Sequence, residues 1–147
     1  MLVTLLLFVG LSVRSVLRDI TIYRLEIVDI IVGTIACLVY RFASGAMSDL
    51  DMIVGVGIAY LSFIVIYRLS RGRLGPGDVW YSGFIGCAFG FRIWDLALVL
   101  AVGIGICYVA VMKLRDRSRP VSAIRIPFCP CMFVGALASA ALGGVPL

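Results

Sequence analysis

Read for polarity alone, the chain is a series of long apolar runs separated by short clusters of charge. Six runs stand out, near residues 1–17, 25–42, 52–69, 79–91, 93–112 and 126–144. Each is long enough to cross, or nearly cross, a hydrocarbon core of roughly 30 Å as an α-helix. The fourth is short, and at about 1.5 Å per residue it covers only about 20 Å, so it thins the bilayer, starts inside a cavity or takes residues from the turn before it. The pattern predicts an all-α integral membrane protein, a polytopic bundle of about six transmembrane helices. Residues 1–147 form one domain, with no soluble domain, linker or internal repeat.

The charge clusters orient the bundle. The first, third and fifth connections hold Arg14, Arg18 and Arg24, then Arg68, Arg71 and Arg73, then Lys113, Arg115, Arg117, Arg119 and Arg125, whereas the second and fourth hold only Arg41 and Arg92. Positive residues concentrate on the cytoplasmic side of a membrane protein, which places the odd connections in the cytoplasm and both termini outside it. The net charge of +5 is then accounted for by topology and by anionic lipid headgroups, and the expected partner is membrane lipid rather than nucleic acid.

Composition agrees. The chain is 63% hydrophobic and 14% charged, against about a quarter charged in soluble domains. A signal peptide explains one apolar run at the N-terminus, not runs along the whole length. The absence of His, Asn and Gln removes imidazole as base, ligand or proton relay and leaves carboxylates, Tyr, Cys and the lone Lys113 for acid–base work. Cys37, Cys87, Cys107, Cys129 and Cys131 lie mostly within apolar runs, where Cys packs as a small hydrophobe. The Cys129-Pro130-Cys131 spacing does not suit zinc and has no second pair, so no metal and no cofactor is expected. Small residues such as Gly55, Gly57, Gly83, Gly86, Gly90, Gly103, Gly105 and Gly135 suit the close helix packing of membrane bundles.

With eight acids in the chain, each can be weighed. Asp49 and Asp51 fall in an external loop, with Asp49 placed to cap the third helix. Asp95 reads as interfacial and Asp116 as paired and exposed among "KLRDRSR". Glu26 and Asp29 favour the positive end of the second helix dipole, and Asp29, a turn further in, is a second choice for a functional acid. Asp19 ends the first run and Asp78 begins the fourth, so the topology sets both at the cytoplasmic edge, where they could meet. Ionisable groups near a bilayer interior are costly and face a cavity or a partner. Two close carboxylates do not both ionise readily, so one stays protonated while the other activates water, as in aspartic proteases. The bland alternative for Asp78 is a helix cap behind the Gly75-Pro76-Gly77 turn; the functional one is that Gly75 and Gly77 adopt backbone conformations closed to other residues and admit an extended peptide.

The stretch "LGPGDVWYSGFIGCAFGF", with its Gly-x-Gly-Asp and small-residue helix, resembles the second catalytic motif of the type IV prepilin peptidases, membrane aspartic proteases of the GxGD type. "RDITIYRLEIVDIIV" is similar to the region of their first catalytic acid, with Asp19 in that position, and "IPFCPCMFVGALAS" resembles the Pro-Phe-x-Pro stretch that opens their last helix. The chain departs from the family at Leu25 and Glu26, which replace an Ile-Pro-Asn, and at Trp80, where a Lys is common. It also lacks the paired CxxC motifs of the methyltransferase region, so it resembles a short, peptidase-only form. The resemblance implies a multi-pass protein of the bacterial inner membrane, serving a type IV pilus or a protein secretion system. It implies an Asp19/Asp78 dyad that cleaves prepilin-like proteins carrying a basic leader and an apolar helix, with Gly75, Gly77 and Trp80 touching the substrate and Trp80 tuning which leader fits. Arg18 and Arg24 beside Asp19 assign it the role of base. The rival expectation is a non-enzymatic polytopic protein, a small transporter or an assembly subunit of a pilus or secretion system; the lack of charge in the centre of every run counts against the transporter.

Overall fold

Six α-helices and no strands make up the described part of the chain, residues 2–22, 27–44, 50–70, 74–117, 124 and 126–142 of a computed structural model. They are α1 Leu2–Ile22, α2 Ile27–Ala43, α3 Leu50–Leu69, α4 Pro76–Phe89, α5 Phe91–Arg115 and α6 Phe128–Leu142. Every expected run is a helix. Two of them, α3 and α5, are long and apolar enough to cross a membrane by themselves. The 21 residues of α1 include Arg18 and Asp19, where the helix extends beyond the apolar run.

The helix that looked too short is the hub of the bundle. α4 packs against each of the other five helices, and from Gly77 to Phe89 every residue except Trp80 is buried. The fourth run is therefore set apart by burial within the bundle rather than by length. The outer helices do the opposite. Leu6 and Leu17 on α1, Val39 on α2, Leu61 on α3 and Ile106 on α5 all point outward and are more than half exposed, while Thr4, Ser12, Ser15, Asp19, Asp78, Ser82 and Ser139 are buried. Contiguous exposed apolar surface marks a membrane or association surface.

Glycine sets the closest approaches. A Cβ on Gly55 of α3 would lie 2.6 Å from the Phe91 nitrogen, and one on Gly86 of α4 would lie 2.6 Å from the Gly55 carbonyl oxygen. Gly57 and Gly103, in contrast, face open space, so only part of the small-residue set serves packing. Gly90 breaks α4 from α5 with a φ of 83°, a region that favours glycine. The Asp51 carboxylate packs where its Cβ would stand. Asp51, expected in a loop, thus lies in the first turn of α3 against the α4–α5 break. Across the same core, the Trp94 indole N–H donates to Ser82 Oγ at 2.8 Å. Asp95 and Asp116 are exposed. Arg24, Glu26, the proposed cap Asp49, Arg71, Arg73, Arg119 and Arg125 lie outside the described residues.

Candidate functional site

One face of α1 carries Thr4, Phe8, Ser12, Ser15 and Asp19, all buried. Spacings of three and four residues put them in a single stripe. Asp19, at the C-terminal end of that stripe, is 7% exposed, and its Oδ2 accepts the backbone N–H of Cys129 at 3.2 Å. Cys129 is the second residue of α6, so this amide belongs to the first turn, whose N–H groups have no partner within the helix.

Asp78 sits in the first turn of α4, three positions after the Gly75 N-cap, and is 8% exposed. Its Oδ2 accepts the Gly75 N–H at 3.1 Å, while its own N–H donates to the Gly75 carbonyl at 3.2 Å. The capping alternative is therefore part of the local structure: Asp78 caps α4 from within the first turn rather than from the N-cap position. It does not stand alone. The Asp19 carboxylate acts on Asp78 as a neighbouring like charge, and both act on the Cys129 thiol. The end of α1 and the starts of α4 and α6 thus bring two buried carboxylates into one cluster. Each accepts a hydrogen bond from a backbone amide at the positive end of a helix. Two buried carboxylates within electrostatic reach of each other do not both ionise readily.

Asp29, the second-choice acid, is differently placed. Its Oδ2 lies 3.4 Å from Arg14 Nε, an ion pair between α1 and α2.

The glycines of the motif need a different explanation from the one their sequence suggested. Gly75 has φ −73° and ψ 147°, ordinary extended backbone, and Gly77 lies within α4; among the described residues Gly90 alone has a positive φ. What Gly75 provides is space. A Cβ there would stand 3.4 Å from Asp78 Oδ2, so glycine keeps that flank of the carboxylate clear. Trp80 is set apart from the cluster. Two residues on from Asp78 it points about 200° round the helix, is 39% exposed, and packs edge-on against Tyr60 of α3 with ring centroids 5.6 Å apart.

Three residues near the dyad were not picked out from the sequence. Tyr81, one turn along α4 from Asp78, is fully buried, with its ring packed against those of Phe8 and Phe84. Its hydroxyl faces Ser12 and Cys129 but makes no hydrogen bond of full geometry, nor do the buried hydroxyls of Ser12 and Ser15. The signal available was the stripe itself: two serines recurring with Asp19 on one face of an otherwise apolar helix.

All five cysteines are free thiols, Cys107 exposed and the rest buried. Among the described residues no group of three or more Cys, Asp or Glu side chains is arranged to hold a metal ion. A cavity of about 350 Å³ lined by Asp51, Phe89, Arg92, Ile93, Leu96 and Ser139 opens at the far end of α4 and shares no residue with the dyad. Compared with protein-family models, curated protein sequences and solved structures, the chain matches none.

Proposed function

We propose that this chain is a membrane-embedded aspartic endopeptidase that removes the basic leader of prepilin-like proteins at the cytoplasmic face of a bacterial inner membrane. The observation that carries the reading is the cluster of Asp19 and Asp78, two buried carboxylates from helices far apart in sequence, within electrostatic reach of each other, with Asp19 bonded to the first turn of α6. Each carboxylate also caps the first turn of a helix, but capping does not require the two acids to be neighbours, whereas water activation does.

In this reading all six helices cross the membrane with both termini outside. Two of them are long and apolar enough to do so individually, and the outward apolar faces of the others favour the same surroundings. The positive connections set the end of α1 and the starts of α4 and α6 at the cytoplasmic edge. Asp19 takes the proton of a water as its oxygen bonds to the scissile carbonyl carbon. Asp78 gives its proton to the amide nitrogen as the C–N bond breaks, releasing the leader acid and the new N-terminal amine. The Cys129 and Gly75 amides hold the two carboxylates in place, and the open flank at Gly75 admits the extended chain. The substrate's apolar helix lies along the bundle with the leader in the cytoplasm.

The test is co-expression with candidate prepilins bearing a basic leader, comparing the wild type with Asp78→Asn. Leader removal by the wild type alone supports the proposal; removal by both, or by neither across a panel of prepilins, favours the non-enzymatic reading.

A further inference from the structure

A peptide bond inside a helix is not open to attack, because its carbonyl is hydrogen-bonded and its backbone is coiled. A substrate cleaved next to its apolar helix must therefore present an uncoiled segment to the dyad. The residues that follow the scissile bond then carry free N–H and C=O groups into an interior without water, at considerable cost for each one unmatched. An enzyme of this type needs polar partners one to two turns inward from its carboxylates.

The bundle has such partners. Tyr81 lies one turn inward from Asp78, and Ser15 and Ser12 lie one and two turns inward from Asp19 on the same stripe of α1. All three residues are fully or almost fully buried, and none of their hydroxyls makes a hydrogen bond of full geometry, although that of Tyr81 faces Ser12 and Cys129. A buried hydroxyl without a partner lowers stability, so three together at one place call for an explanation beyond packing. Elsewhere in the interior hydroxyls are matched: Ser82 accepts from Trp94 and Ser139 donates to the Gly135 carbonyl at 2.7 Å. We infer that Ser12, Ser15 and Tyr81 form a subsite that hydrogen-bonds the uncoiled backbone of the substrate immediately after the scissile bond. Each hydroxyl can donate to a carbonyl and accept from an amide, so the subsite recognises backbone and tolerates varied side chains.

This rests on the peptidase reading, and the test separates the two. Wild type, Asp78→Asn, Tyr81→Phe and Ser12→Ala are assayed in membranes against one prepilin and against the same prepilin with a Gly pair in the first turn of its apolar helix. Tyr81→Phe and Ser12→Ala are expected to slow cleavage of the unmodified substrate by roughly tenfold or more. They should slow the Gly-pair substrate less, because its first turn is already loosened. Their melting temperatures in detergent should lie close to that of the wild type, since none of the hydroxyls removed makes a hydrogen bond of full geometry in the free protein. Wild-type rates on both substrates, equal losses on both, or a clear fall in melting temperature would overturn the subsite while leaving the peptidase intact. Cleavage by Asp78→Asn at the wild-type rate, or no cleavage by the wild type, would overturn both.

Discussion

Asp19 Oδ2 accepts the Cys129 N–H at 3.2 Å across 110 positions of sequence, joining the end of α1 to the beginning of α6. The bond gives a lone first-turn amide its partner and fixes one carboxylate of the dyad. Asp19→Asn keeps an acceptor of similar shape but cannot act as the base. It should lose at least about a hundredfold in leader cleavage with a melting temperature close to the wild type. Asp19→Ala should also lose about 1–3 kcal/mol of stability, because it strands the amide. Denaturation in detergent beside the cleavage assay distinguishes the two effects.

Asp78 and Asp29 make a sharper pair. Asp78→Asn can still accept the Gly75 N–H and should fold, yet cleave nothing. Asp29→Ala removes a partly exposed ion pair with Arg14 of the kind worth up to about 1 kcal/mol, and should leave processing within a few-fold of the wild type. Loss of processing with Asp29→Ala but not with Asp19→Ala would move the first acid from α1 to α2.

Two glycines of α3, two residues apart, should respond in opposite ways. Gly55→Ala drives a methyl group into the backbone at Gly90 and Phe91 and is expected to cost about 1–3 kcal/mol. Gly57→Ala meets nothing and gains helix propensity of up to about 1 kcal/mol. Thermal unfolding of both variants checks the close α3–α4 approach directly.

Trp80→Ala should sacrifice the edge-on contact with Tyr60, about 0.5–1.5 kcal/mol, and leave cleavage of a given prepilin within a few-fold. A selective loss for some leaders but not others would return Trp80 to the substrate path despite its position on the α3 side.

The topology predicts a fifth outcome. The protein should stay in the membrane pellet through an alkaline carbonate wash. Reporters fused after residues 70 and 116 should read as cytoplasmic, whereas one placed at residue 44 should read as external. Recovery in the wash supernatant would remove the bundle from the membrane altogether.

Much of the fold was legible because apolar runs and charge clusters have a simple relation to helices and their ends. Each of the six runs corresponds to a helix, and Asp19 and Asp78, at the edges of the first and fourth runs, fall near helix ends within electrostatic reach of each other. Features that depend on which helix lies in the middle were not legible. The burial of the fourth run was not visible until α4 was surrounded by the other five, and Trp80 could not be assigned to a side until Tyr60 lay beside it. Gly75 had suggested unusual backbone angles when its contribution is an absent side chain. Ser12, Ser15 and Tyr81 were hidden for a related reason: a hydroxyl in an apolar run says little until its missing partner can be seen.

Because the contact between Asp19 and Cys129 spans the first and sixth helices, the dyad depends on parts made at opposite ends of synthesis. A nascent chain that has delivered α1 to α4 holds both acids but not the amide that fixes the first. On the peptidase reading the site is therefore completed only when α6 joins the bundle, and a nascent chain still short of α6 has no finished pair of acids.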